Sequence, residues 1–269
     1  MPWNIVNKSY PYILRSTLQQ TNEGLLHINP RYTVPSLGGV SLPTEGMLLR
    51  RFELAVSATG IAGIGFRWAN RTWQAGQWTE VGSVFTDDTV DAQDIGADDF
   101  ALETTTVNDG FLILSTRPFG WVSINVTTAG AATANTHTVR YSNFAGTRWT
   151  AVDVQSAYED TFTNAADYAA GEIRFVWSPP SNWGKVTSIG TIPAGVYALN
   201  VRATVVAGAA ALAGSIEVGS IVAARAVAAN GIYANDWSTF SDPFAEAMIA
   251  YFSAADGGDR VSAEVTTGV

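Results

Sequence analysis

Apolar and polar residues alternate with a period of two in short, separate runs along the chain. Phe52, Leu54 and Val56 do so early, Val122, Ile124 and Val126 in the middle, and Tyr197, Leu199 and Val201 later. This alternation marks half-buried strands. In the last run Asn200 and Arg202 take the opposite face, toward solvent. A strand over Glu172–Trp177 ends at Pro179-Pro180, since proline cannot donate to a ladder. Near the end, Met248–Phe252 reads as a strand, in competition with a short helix opening at Asp242-Pro243. After Gly257-Gly258, Arg260–Val265 alternates as an antiparallel partner. The pattern predicts an all-β fold.

The strand order occurs twice. Ile64–Trp68 leads to Gly76-Gln77-Trp78-Thr79, as Val139–Tyr141 leads to Gly146–Thr150. Asp87-Asp88-Thr89 answers Glu159-Asp160-Thr161, Gly110–Ser115 answers Gly171–Ser178, and Val122–Val126 answers Tyr197–Val201. A period of about 72 residues suits duplicated small β domains better than a solenoid. Tandem β-sandwich or jelly-roll-like modules are therefore expected at 46–130 and 131–269. Residues 1–45 read as an extended N-terminal arm. Pro2, Pro11, Pro30, Pro35 and Pro43 interrupt it, leaving too little contiguous apolar surface to fold alone.

Charge sharpens this division. Residues 1–51 carry Lys8, Arg15, Arg31, Arg50 and Arg51 against Glu23 and Glu45, whereas 80–110 hold nine acids and no base. Arg15, Arg31, Arg50 and Arg51 are the expected subunit contacts, and the basic arm suits an acidic neighbour. The net charge of −9 disfavours nucleic acid as a partner. The uncharged run Ala203–Ile216 is too short to span a membrane, and no basic-then-apolar leader opens the chain. Without cysteine there is no disulfide framework, which fits assembly in a reducing cell.

Candidate chemistry is sparse. Trp68, Trp73 and Trp78, with Trp183, read either as a sugar-stacking platform or as the core and rim of a sandwich. Asp87, Asp88, Asp91, Asp94, Asp98 and Asp99 lack the spacing of a helix–loop–helix calcium site and read as a solvated loop. His27 and His137 are the only histidines. Neither sits in a triad or zinc-binding motif, and His137 reads as a solvated residue between modules. No catalytic, metal or cofactor-binding residue is assigned, and the protein is expected not to be an enzyme.

A resemblance enters through the second repeat. Tyr141, Gly146-Thr147-Arg148-Trp149-Thr150, Asp160-Thr161, Trp177-Ser178-Pro179-Pro180-Ser181-Asn182-Trp183 and Tyr197 with Val201-Arg202 stand in that order. The order resembles a module of tailed-bacteriophage virion proteins. Asp99-Phe100-Ala101-Leu102 and Asn108-Asp109-Gly110-Phe111 are similar to its partner module, and Ile192–Tyr197 resembles strands of jelly-roll head-fibre domains. Ala198 and Leu199 depart from the aromatic pattern before the last strand. The resemblance implies a virion structural component assembled in the host cytoplasm. The expected role is a capsid decoration (cement) protein bound to the major capsid protein or other virion proteins, as a homo-oligomer. The alternative is a tail or head-fibre adsorption protein that binds a host glycan through the tryptophans.

Overall fold

The computed structural model describes residues 12–17, 25–28, 47–94, 100–102, 106–130, 136–153, 157–163, 168–205, 211–235, 240–253 and 259–267. The first strands are β1 (Tyr12–Thr17), β2 (Leu25–Ile28), β3 (Met47–Val56) and β4 (Gly60–Trp68). Next come β5 (Trp73–Thr79), β6 (Val84–Asp87), the short helix α1 (Thr89–Gln93) and β7 (Phe100–Ala101). The middle holds β8 (Gly110–Ser115), β9 (Trp121–Thr128), β10 (Thr136–Ser142), β11 (Trp149–Ala151), β12 (Ala157–Asp160) and β13 (Gly171–Trp177). Then follow β14 (Tyr197–Val205), the long β15 (Leu212–Val227), β16 (Gly231–Asn235), β17 (Phe240–Asp242), β18 (Ala245–Phe252) and β19 (Arg260–Thr267). The fold is all-β, with sandwich-like units built from antiparallel sheets, as the alternation predicts. Residues 245–252 form a strand, which settles the competition with a helix.

The chain divides into two compact units, but not at residue 130. One unit joins both ends of the chain, 1–67 and 222–269, and the other is 68–221. In the first, β3 pairs along its length with β19 and also with β16 and β17, while β1 lies on the far side of β19. The strand at 260–267 therefore partners β3 and β1, whereas β18 partners β2. Leu49, Phe52, Leu54, Ile64, Phe66, Met248 and Phe252 form the buried core of this unit. The segment read as an extended arm contributes two strands, β1 and β2, to the protein's own sheets; its remainder lies outside the described residues.

Unit 68–221 contains a six-stranded sheet in the order β11-β10-β14-β8-β5-β6. Against it stand β12, β13, β9 and residues 212–221 of β15, with β7 beside β15. The repeat counterparts explain why no boundary falls at 130. β8 pairs with β14 and β9 pairs with β13, so each of these first-repeat strands bonds to a strand of the second. A ladder gains its hydrogen bonds only from adjacent strands, so the two repeats close one sandwich instead of two modules. Its interior is aromatic. Phe111 meets Phe100 and Phe162, Phe162 stacks on Phe175, and Tyr141, Phe175 and Trp183 surround Trp177. The indole of Trp177 donates to the Phe119 carbonyl at 2.8 Å, so its one polar atom is satisfied inside. Among the described residues no helix is long and apolar enough to cross a membrane.

Candidate functional site

A connected polar cluster lies on the outer face of the six-stranded sheet. Register places Arg140 of β10 opposite Asn200 of β14, and Thr138 opposite Arg202. Arg140 donates to Asn200 Oδ1 from Nε at 2.9 Å and from a terminal nitrogen at 2.6 Å. The same guanidinium reaches Glu80, with its shortest contact 2.8 Å to Oε2. Trp78 Nε1 donates to that oxygen at 2.6 Å, and Arg202 stands 3.6 Å from Oε1. Asn200, which is fully buried, donates onward to the Phe111 carbonyl at 3.2 Å. Arg202 Nε donates to Thr138 Oγ1 at 3.2 Å, and the Arg140 guanidinium lies 5.2 Å from the Trp149 ring centroid.

Electrostatics follow from this packing. Burial alone would raise the pKa of Glu80, but hydrogen bonds from Arg140 and Trp78, with the charges of Arg140 and Arg202, outweigh it and hold the carboxyl below its ordinary value. For Arg202, burial and repulsion by Arg140 outweigh the attraction of Glu80, and its pKa is lowered. A carboxylate held ionised between two guanidiniums is a poor general acid or base. The arrangement works as a clamp across strands β5, β14 and β10.

A strap seals the rest of this face. Between Gly184 and Val196 the chain crosses the sheet and sets Val186, Ile189 and Ile192 on Trp78, Leu112, Leu114 and Ala198. Gly190 adopts φ +52°, and a Cβ there would lie 1.8 Å from the Ser83 carbonyl oxygen. Only glycine combines that backbone with so close an approach. Thr191 completes the fastening, donating its N–H to the Ser83 carbonyl at 3.0 Å while its hydroxyl accepts the Phe85 N–H at 2.7 Å. A second charged group lies on β12 and β13, where Arg174 bridges Glu159 at 3.0 Å and Glu172 at 3.5 Å.

The candidate residues separate accordingly. Trp68, Trp73, Trp78 and Trp183 are all buried, so of the two readings the core one describes them and the sugar-stacking alternative has no exposed ring among the four. Each indole fills core instead, as with Trp183, whose Nε1 donates to Ser142 Oγ at 3.1 Å. Arg50 and Arg51 are both exposed, because a register shift against β19 inserts an extra residue between Leu49 and Arg51. Such a bulge breaks the alternation and turns neighbouring side chains to one side. Arg15 sits on β1 opposite Ser262, and Arg31 lies outside the described residues. His137 is buried, not solvated, and stacks on Tyr168 with ring centroids 4.3 Å apart. His27 lies on β2 opposite Ile249.

In the acidic stretch Asp87 ends β6 and Asp91 lies in α1, while residues 95–99 are outside the described residues. Among the described residues no group of three or more His, Asp or Glu side chains is placed to hold a metal ion. Sequence reasoning missed the Glu80–Arg140–Asn200 clamp. The only signal was the shared phase of Arg140, Asn200 and Arg202 on neighbouring strands, which reads as a solvated face unless the strap is known. Comparison with family models, with curated proteins and with solved structures finds no match.

Proposed function

We propose that this chain is a non-enzymatic structural component of a tailed-phage virion, most specifically a decoration protein that binds the capsid shell and stabilises it. One observation carries the choice over the adsorption alternative. The four tryptophans that a glycan would need are core residues. The Glu80–Arg140–Asn200 cluster is likewise spent on closing the sheet face, with Glu80 held by Arg140 and Trp78. The order of motifs from Tyr141 to Arg202 supplies the virion context, and the exposed Arg50-Arg51 bulge supplies a basic contact for an acidic shell partner. Such a protein acts by mass action: any ligand of the assembled state alone adds its binding free energy to that state.

The test is made on particles assembled with and without the protein. Particles without it are expected to release their genome at lower temperature, and cross-linking on intact particles is expected to join it to the major capsid protein. Equal thermal robustness together with failure to adsorb to cells would replace the decoration role with attachment.

A further inference from the structure

The turn between β10 and β11 presents a large apolar side chain to solvent on a fixed backbone. Asn143 Oδ1 accepts the N–H groups of Thr147 at 3.0 Å and Arg148 at 3.2 Å. The Asn143 carbonyl accepts Gly146 N–H at 2.8 Å, and the Gly146 carbonyl accepts Thr187 N–H at 2.8 Å. Gly146 has φ +68°, and a Cβ there would lie 1.9 Å from the Lys185 carbonyl oxygen, so strap and turn lock together. On this fixed turn Phe144 is 79% exposed. Arg148 and Lys185 are exposed beside it, and neither forms an ion pair among the described residues. A preorganised aromatic loses little conformational freedom on binding, which is the property of interface anchors.

The other edge of the same sheet carries the complement. β11 forms one edge and β6 the other. Where β6 runs into α1, Val90 is 80% exposed between Asp87, Asp91 and Asp94. That corner is also fastened: Thr89 Oγ1 accepts the Ala75 N–H and donates to the Ala75 carbonyl, both at 3.1 Å. Like edges brought together would oppose charges of one sign. Unlike edges join an apolar anchor to an apolar seat inside a rim of opposite charges.

We propose that the occupant of the Phe144 edge is a second copy of this chain, docked head to tail. Phe144 of one copy packs on Val90 of the next, with Arg148 and Lys185 against Asp87, Asp91 and Asp94. Because the two surfaces differ, the contact is heterologous and generates a closed ring when the rotation closes. The inference rests on the edges of one sheet and not on the virion reading.

Sedimentation velocity of the purified chain tests it. Wild type is expected to form oligomers whose mass rises with protein concentration and falls with added salt. Phe144→Asp, or Arg148→Glu with Lys185→Glu, should weaken association at least tenfold, as should Val90→Arg with Asp91→Arg. Unchanged melting temperatures would show that each variant remains folded, and Phe144→Ser provides a milder form of the first change. Phe144→Ser mixed with the acidic-edge variant keeps one working pair of surfaces and sets like charges against each other at the other pair, so the mixture should form heterodimers and nothing larger. A monomeric wild type at high concentration overturns the proposal. So does a Phe144→Asp chain that associates like wild type, or a mixture that stays monomeric.

Discussion

The two faces of the six-stranded sheet in unit 68–221 are closed by different means. The inner face is hydrophobic in the ordinary way: Phe111, Ile113, Val139, Tyr141, Leu199 and Val201 are all buried. The outer face carries Arg140, Asn200 and Arg202, yet Asn200 is as inaccessible as Phe111. Burial of such groups is tolerated only because each finds a partner: a lone buried amide or guanidinium would cost several kcal/mol. Alternation therefore reports which side chains share a face. It does not report whether that face reaches water. On this sheet the second question is decided by a loop.

The contrast is broken most strongly from the inner side. Phe111→Ala removes a ring that meets Phe100 and Phe162, and it should cost about 3–5 kcal/mol in a chemical-denaturation experiment. A loss below about 1 kcal/mol would show a core able to collapse around the gap. On the outer face Arg140→Met keeps the length of the side chain but strips Asn200 Oδ1 of its donor and Glu80 of one of its donors, Trp78 remaining. We expect a loss of about 2–3 kcal/mol, less than for a fully enclosed pair because Glu80 keeps contact with water. The Arg140→Met and Asn200→Leu double variant should cost less than the sum of its parts, since neither Arg140 nor Asn200 is then left buried without the other. Additive losses would mean that the two residues are independent.

Gly190→Ala tests the strap. Its left-handed backbone alone costs an alanine about 1–2 kcal/mol, and the strap must also retreat from Ser83. The expected signature is faster hydrogen exchange at the β5–β6 hairpin with slow exchange kept in β9 and β13. Uniform acceleration across the unit would show that strap and core open together.

How much of this was legible in the sequence follows from the same physics. Strands at 52–56, 122–126, 172–177 and 197–201 were readable because one side chain in two must be apolar on a half-buried strand. The pairing was not. β3 bonds to β19 across most of the chain length, and no local pattern encodes a partner so distant. Repeated strand order suggested tandem modules, whereas β8 with β14 and β9 with β13 interleave the repeats. The tryptophans were readable only as a pair of alternatives, because a ring that stacks on sugar and a ring that fills a core have the same residue type. The clamp was hidden because Arg140 and Asn200 are ordinary solvent-face residues until Val186, Ile189 and Ile192 cover the sheet beside them.

The smallest expected effect concerns Glu80 and is read through pH. Its carboxyl titrates below the ordinary value in the folded protein, so it binds protons more weakly folded than unfolded. The stabilisation is therefore present at pH above the unfolded carboxylate value of about 4.3 and is lost as pH falls through the folded value. Glu80→Gln keeps the shape and one acceptor but removes the charge, and at neutral pH it should cost less than about 1 kcal/mol because solvent screens this site. The gap between wild type and variant should stay level from about pH 6 to 8 and close below about pH 4.3, as protonation makes the native side chain resemble the amide. A gap that persists unchanged through acid would mean that shape and hydrogen bonding, not ionisation, hold Arg140 in place. The clamp would then owe its strength to Asn200, and Arg140→Met would cost the same at every pH.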